Sequence, residues 1–495
     1  MKMLLVYPEI ESSNTNTSTY SLPLGLGSIG TYCRKRFEKF GCSLDVKILD
    51  GSMMTHEEQL EAVKQYKPDL TGINSTIASQ RNAYEIGQLA KGLDSKVIFG
   101  GVNSTNLWQS MLRNRDFIDG VVLYDGEIPM FVILNRLKEM ELIGTDSFIG
   151  IPNLAYRDSK GDIHEPSSTI RIPALGELPD IDYSLFDMDR FLGQTRKRGF
   201  GKAVTYYAGK GCAKRGGITL KDSYAYEEYN NLVSSMDVCT FCGRNELGMR
   251  NLSESREAGI IRELHEKYGV TGFFNVQDTV NLQNTSPIGL SDSWFRLFIG
   301  AENITPENIR KLKQRYGPNI IFQAGIEAAN PQMRHVYGKK ATDLGDLISK
   351  VELMRDEGIQ LHASFILGGR GETKESMSKT TEVARILGDY DNVTWILISP
   401  QLILPGSPDY KALLQMPRMH KKYAGQDLID IVEINQDFLG QFTPGLTRQD
   451  VVDEIKMTFD DIRKKGRADL VLDVKGVVAG EEDYINPNRP YAEGQ

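Results

Sequence analysis

The 495-residue sequence has no apolar run approaching the roughly 20 residues that a membrane-crossing helix needs. Its opening residues, Met-Lys-Met-Leu-Leu-Val-Tyr-Pro, are apolar over too short a stretch for a signal peptide and read better as a first strand. Positive charge is not in excess. With 58 Lys and Arg against 66 Asp and Glu the net charge is -8, which argues against a nucleic-acid-binding surface. Cysteine is scarce and odd in number, five residues with three in one loop. That count fits metal binding by reduced thiols and not a disulfide framework, so a cytoplasmic location is expected. Cys33 and Cys42 are expected to be inert buried thiols. The chain is too long for one ordinary core, and two or three domains follow.

What is present begins with alternation. Apolar runs at 2–7, 44–49, 70–76, 96–101 and 120–127 are separated by helix-compatible stretches. Strands alternating with helices predict a parallel, doubly wound sheet, whose ligands bind beyond the carboxyl ends of its strands. Pro23–Gly27, Ser75-Thr76, Gly100–Thr105 and Tyr124–Glu127 all fall at those ends. Gly25-Leu-Gly27-Ser-Ile-Gly30 has the letters of a dinucleotide fingerprint, with Asp50 where a ribose-binding acid would stand. That motif needs its first glycine in a tight turn directly after a strand, and a long polar loop with a proline intervenes here.

Residues 149–200 read as a connecting strap with one short hairpin, 154–156 and 161–164. From Ala203 the alternation resumes, with strands expected at 272–278, 294–299, 320–327, 360–367 and 393–402. Repeated strand-loop-helix units can close into all or part of a (β/α) barrel, with polar residues at strand C-termini as the site candidates. A helix over 255–268 is expected, capped by Ser253 and ended by Gly269. After Tyr410 the alternation stops. A short helical turn at 411–416 is expected to end at Pro417, and a helix capped by Thr447 to run to about 463.

The chemistry concentrates in Gly-Lys-Gly-Cys212 and Cys239-Thr-Phe-Cys242-Gly. Three thiolates and no fourth ligand nearby describe an incomplete coordination sphere, as on a cluster with one open iron. Tetrahedral zinc wants four protein ligands, or three and a water, and no His lies in the loop. The detour between Cys212 and Cys239 is affordable: lengthening a loop from about 4 to about 27 residues costs only about 1.7 kcal/mol. Metal–thiolate binding is worth on the order of 10 kcal/mol. Within the detour, Tyr224, Tyr226 and Tyr229 lie on a helix-compatible stretch, either solvated or placed to cover the site or contact a substrate.

Taken together, residues 203–410 resemble the radical S-adenosylmethionine (SAM) superfamily. The likeness rests on the cysteine loop with Phe241, on Gln277-Asp278, Gly-Ile-Glu327-Ala, Ser364-Phe-Ile-Leu-Gly368-Gly-Arg-Gly-Glu372 and Pro405-Gly-Ser407. It departs from the usual Cys-x3-Cys-x2-Cys in the spacing after Cys212. The resemblance implies a 4Fe–4S cluster on Cys212, Cys239 and Cys242. SAM would lie among Phe241, Gly243, Gln277, Asp278, Glu327, Ser364, Ile366 and Gly368. The first 130 or so residues resemble the cobalamin-binding domain that precedes many such enzymes. The matching residues are Pro23-Leu24-Gly25-Leu26, Asp50-Gly51, Ser75-Thr76, Gly100-Gly101-Val102-Asn103 and Tyr124-Asp-Gly126-Glu127. Ser52 and Asn103 stand where relatives carry His, which implies a corrinoid whose lower face has no histidine ligand.

The expectation is therefore an α/β chain with four parts. They are a cobalamin-binding-like domain (1–148), a linker (149–200), a radical SAM barrel (201–410) and a mostly helical capping region (411–495). The implied activity is formation of a 5′-deoxyadenosyl radical and, most commonly, methylation of an unactivated carbon of a natural product, cofactor, lipid or peptide precursor. An external flavodoxin- or ferredoxin-type electron donor is implied with it. Cyclisation, rearrangement or epimerisation would use the same motifs. A cobalamin-binding sensor or a zinc-stabilised binding protein is the alternative from another class.

Overall fold

A computed structural model describes residues 1–10, 21–140, 148–166, 169–212, 214, 220–236, 238–244, 246–340 and 342–471. The first apolar runs form β1 (Lys2–Tyr7), β2 (Asp45–Asp50), β3 (Leu70–Asn74), β4 (Lys96–Gly100) and β5 (Gly120–Val122). They are parallel, in the order β2-β1-β3-β4-β5. The crossovers are α1 (Leu24–Lys39), α2 (His56–Tyr66), α3 (Gln80–Lys91) and α4 (Val102–Asn114), and α5 (Glu127–Met140) follows β5. In this order the winding reverses between β1 and β3, and a crevice opens there at the carboxyl ends of the strands. Side chains of the central strands alternate between two cores, Leu4, Val6 and Phe99 in one and Met3, Leu5 and Ile98 in the other.

The strap hairpin, β6 (Leu154–Arg157) and β7 (Ile163–His164), extends this sheet antiparallel from β5. The chain then passes through β8 (Thr169–Arg171) and α6 (Met188–Lys197) to β9 (Ala203–Tyr206). After β9 comes a long excursion: β10 (Gly209–Gly211), β11 (Ser223–Ala225), α7 (Tyr226–Ser235), β12 (Met249–Asn251) and α8 (Glu254–Tyr268). Ser253 caps α8 and Gly269 ends it in the left-handed conformation, as its sequence requires. Then follow β13 (Gly272–Asn275), β14 (Trp294–Gly300), α9 (Pro306–Tyr316), β15 (Ile320–Glu327), α10 (Pro331–Val336), α11 (Leu344–Asp356), β16 (Gln360–Leu367), α12 (Lys374–Leu387) and β17 (Val393–Pro400).

Strands β9, β13, β14, β15, β16 and β17 are parallel and adjacent in that order, so the second sheet is a six-stranded partial barrel with β9 and β17 at its edges. Alternate residues of each strand, such as Phe295, Leu297, Phe322 and Phe365, are buried in the core beneath the helices. The intervening ones, among them Arg296, Gln323, His362 and Trp395, face the cavity inside.

The C-terminal helices divide their loyalty. In α13 (Pro408–Leu414), α14 (Pro417–Tyr423) and α15 (Ile431–Phe442), Tyr410, Leu413, Met419, Tyr423, Ile434 and Phe438 join the core of the first sheet. Buried Asp427 accepts from Arg115 Nε at 2.7 Å, and its carbonyl accepts from Tyr84 Oη at 3.0 Å. Pro417 starts α14 at its first position, where no backbone N–H is needed, besides ending the preceding turn. α16 (Arg448–Lys464), capped by Thr447, contributes Val451, Ile455 and Phe459 to the barrel core, and Val471 bridges Ile396. The region expected to cap the barrel therefore also ties the two sheets together.

Two smaller readings are resolved. The glycines of the Gly25–Gly30 motif lie inside α1; Gly27 and Gly30 let it pack against the strap, where a Cβ on Gly27 would meet the Phe186 ring, and Gly25 faces open space. Cys33 is buried, and burial pushes its thiol up, but Cys42 is only half-buried in the turn after α1, with Lys138 Nζ 2.7 Å from its Sγ.

Candidate functional site

The loop after β9 is shaped by glycine. Gly211 has φ +88°, and a Cβ there would lie 2.1 Å from the carbonyl of Gly248 on the adjoining strand turn. This close approach sets Cys212 at the strand end. Cys239 and Cys242 close a turn in which Cys242 N donates to the Cys239 carbonyl at 3.0 Å. Two helices packed on the first sheet, α13 and α4, anchor the turn. The Thr240 carbonyl accepts from Asp409 N at 3.0 Å, and the Gly243 carbonyl accepts from Asn106 Nδ2 of α4 at 3.1 Å.

All three cysteines line one cavity of about 280 Å³, together with Phe241, Asp278, Glu327 and Ser364. Lys214, Arg244 and Lys339 bring positive charge to the same wall. Burial raises the Cys239 thiol pKa, and Lys339 and Lys214 oppose it. Partial desolvation at the cavity wall works against the Arg244 charge, but Asp278, Glu246 and the Cys242 and Cys212 sulfurs outweigh it and hold the guanidinium above its usual range. Among the described residues no three His, Cys, Asp or Glu side chains are gathered so as to hold one metal ion. Zinc needs four donors within about 2.3 Å of one point. Thiols spread around a cavity rimmed by cations suit separate irons of an anionic cluster, one thiolate to each.

Glu327 ends β15 at a break in the pairing register with β16 and has φ +63°, a left-handed conformation costly for a side chain with a Cβ. The turn points its carboxylate into the cavity, 3.0 Å from Lys339 Nζ. Lys339 also lies over the Phe241 ring, 5.8 Å from its centroid.

A second cavity, of about 440 Å³, opens at the switch point of the first sheet. Leu24, Gly25, Leu26, Gly100, Gly101, Val102, Tyr124, Gly126 and Glu127 line it, facing Lys210, Arg244 and Gln277 of the barrel. Gly101, at φ +93°, could not carry a Cβ without striking Asn74 Oδ1. Beside the cavity, Lys210 Nζ lies 2.9 Å from Asp125 and 3.1 Å from Glu127, and Arg250 lies 2.8 Å from Asp125. Burial would raise the Asp125 pKa, but these two cations hold it down to about 2. Glu127 Oε2 and Gln277 Oε1 are buried acceptors without a hydrogen-bond donor. A flat apolar group fringed with amides fits these features: Leu24, Leu26 and Val122 for its face, and the two orphaned oxygens for its N–H groups. No histidine lines this cavity among the described residues. Ser52 donates to Asp50, and Asn103 donates to Gln80.

A third cavity, of about 430 Å³, fills the barrel interior beneath the cysteine loop. Arg244 and Asp278 line all three.

Three of the twelve corrinoid candidates lie off the second cavity. Ser75 pairs with Ser104, Thr76 pairs with Ser79, and Asn103 faces Gln80. Of the SAM candidates, Gln277 lines the second cavity, and Gly243, Ile366 and Gly368 lie behind the walls. Gly243 packs against Pro405, Ile366 packs beside Phe241, and Gly368, at φ +87°, donates its N–H to Glu372. The detour folds as β11 and α7, with β11 pairing β8. Tyr224 and Tyr229 are buried in a small core, and Tyr229 packs 4.4 Å from Tyr124. None of the three tyrosines lines the cysteine cavity; the excursion buttresses Tyr124 from outside. Arg244, Lys339, Lys210 and Arg250 went unseen in the sequence, because isolated cations carry no spacing signal.

No family model matches this chain. It is 27% identical over 419 residues to an uncharacterized methyltransferase of Pyrococcus horikoshii, covering 81% of each chain. It is 19% identical over 422 residues to the anaerobic magnesium-protoporphyrin IX monomethyl ester cyclase of Rubrivivax gelatinosus, covering 81% of this chain and 68% of the relative. Among solved structures it resembles the radical SAM methyltransferase TsrM of Kitasatospora setae with cobalamin and a 4Fe–4S cluster bound. The TM-score is 0.59 at 16% identity, over 83% of this chain and 78% of the other. It also resembles the cobalamin-dependent SAM radical enzyme OxsB with aqua-cobalamin bound, with a TM-score of 0.61 at 15% identity, over 98% and 82%. The chain has the two-part α/β fold of these enzymes.

Proposed function

We propose that this chain, built on the fold of the cobalamin-dependent radical SAM enzymes, is itself one and methylates an unactivated carbon of a small-molecule or peptide substrate. The observation that carries the reading is the cavity lined by three cysteines, which shares Arg244 and Asp278 with the cavity at the switch point of the first sheet. Cys212, Cys239 and Cys242 would hold a 4Fe–4S cluster; Asp278, Glu327, Ser364 and Phe241 would surround SAM; and Leu24–Leu26, Gly100–Val102, Tyr124 and Gly126–Glu127 would hold cobalamin. Bound there, the cluster supplies an electron to cleave SAM and the corrinoid supplies a methyl carrier. The chain's own work is to bind and to orient. Asp278 and Glu327 offer carboxylates to an ammonium group, Phe241 closes one wall, and Lys210, paired with Asp125 and Glu127, holds the Asp125 carboxylate ionised beside the corrinoid crevice.

The division into residues 1–148, 149–200, 201–410 and 411–495 belongs to this proposal, as do a cytoplasmic setting and a flavodoxin- or ferredoxin-type electron donor. Among the described residues no helix is long and apolar enough to cross a membrane. Anaerobic purification with iron, sulfide and cobalamin, followed by metal and corrinoid analysis, tests the reading. It predicts about four irons and one corrinoid per chain. A colourless protein with one zinc contradicts it, and iron without corrinoid removes the cobalamin part alone.

A further inference from the structure

The third cavity holds a charge that no carboxylate among the described residues neutralises. Arg296 stands on β14 facing the barrel interior. Its Nε is buried without a hydrogen-bond partner, and it has no carboxylate partner among the described residues. Its guanidinium lies over the Phe274 ring, 4.1 Å from the centroid. Burial brings its pKa down to about 10, which still leaves it charged at neutral pH. The other charged groups on this wall, Arg244 and Asp278, are paired with each other at 3.1 Å. Burial, and then Arg296 itself, pushes the His362 pKa down to about 3, so the imidazole is neutral and the positive charge stays on Arg296. Trp395 Nε1, on the same wall, is a second buried donor without an acceptor.

An unpaired buried cation is expensive and persists where a ligand supplies the anion. A guanidinium fork matches a carboxylate with two parallel hydrogen bonds. Phe200, Phe274, Phe298 and Trp395 leave flat apolar surface around it. We propose that Arg296 binds the carboxylate of a small aryl- or alkyl-carboxylate substrate, whose apolar body lies in the barrel cavity and reaches toward Asp278 and Arg244. The binding site stands on the geometry of this cavity. That its occupant is the substrate rests on the functional reading above.

Isothermal titration of the full-length, anaerobically reconstituted protein tests the inference, using the arylalkanoates from benzoate to 4-phenylbutyrate and the matching amides. At least one acid is expected to bind about tenfold or more tightly than its amide, the share of one charge-assisted contact. Arg296→Lys is expected to keep most of that preference and Arg296→Gln to abolish it. A residue that merely packs on Phe274 would not move this acid-over-amide ratio. No preference in the wild type, or an Arg296→Gln variant that retains it, overturns the inference. Should Arg296→Gln fail to fold, the wild-type ratio and its retention in Arg296→Lys decide. Iron and corrinoid are measured on the same preparation. A loaded protein without acid preference loses this inference only, and an acid-selective protein without a cluster loses only the functional reading.

Discussion

The Arg244 guanidinium lies 3.1 Å from the Asp278 carboxylate, and this pair forms a wall common to the cysteine cavity, the switch-point crevice and the barrel interior. The Arg244 side chain is 46% exposed, so the pair is worth only about 0–1 kcal/mol to stability. Its importance is in positioning. Arg244→Met and Asp278→Asn should leave the unfolding midpoint nearly unchanged and weaken SAM binding about tenfold or more, as the loss of a charge-assisted contact does. Equilibrium binding of SAM beside a thermal melt checks both halves.

Glu327 pays for its position with a left-handed backbone. Glu327→Gly removes a strain of about 1 kcal/mol or more together with the carboxylate that faces Lys339. Relief of that strain and loss of the carboxylate beside Lys339 act on the melt in opposite directions, and the variant should lose at least about tenfold in SAM affinity. A variant that melts lower and binds SAM normally would mean that Glu327 is structural.

Asp427 joins the C-terminal helices to the first sheet through Arg115 and Asn114. Burial would raise its pKa, but the hydrogen bonds from Arg115 and Asn114 outweigh it and hold the carboxyl below its usual range. A depressed carboxyl contributes stability that is present above the unfolded pKa of about 3.9 and is lost as pH falls through the folded value. Asp427→Asn should melt a few degrees lower than wild type at pH 7 and converge with it in acid. Parallel melts across pH would show this.

Glu372 works in the opposite sense. Burial raises its pKa to about 7, against hydrogen bonds from the Gly368 and Gly369 N–H groups that lower it. An acid whose folded pKa is raised is most favourable to folding below the unfolded value, and its contribution is lost as pH rises toward about 7. Glu372→Gln should therefore flatten the decline in melting temperature between about pH 4.5 and 7. An unchanged pH profile would mean that the carboxyl is not protonated in the folded state.

The parts of the site that the sequence announced are those with a period or a spacing. The runs that became β15 and β16 had apolar residues at alternate positions, and Cys239-x-x-Cys242 announced a turn by itself. Cys212 was harder, because β11 and α7 intervene before its partners, yet loop closure is cheap enough for all three to line one cavity. Strand-end position alone found most of the switch-point crevice, but it could not tell Gly101, which lines the crevice, from Ser75, which turns inward to Ser104. The cations were invisible in sequence. Lys210, Arg244, Lys339 and Arg296 come from different strands and loops, and only folding sets them beside carboxylates, thiols or an empty wall. The tyrosines of the detour left solvation and cover open; Tyr229 instead packs on Tyr124, a contact that only the fold makes.

The central claim is that three cysteines separated by an unusual loop form one radical-generating site. The most direct measurement is 5′-deoxyadenosine formed from SAM by the reduced, reconstituted protein and by its Cys239→Ala variant. The wild type should form it, and the variant, lacking one of three cluster thiolates, should form essentially none while keeping a wild-type melt. Equal amounts from the two proteins would contradict the account.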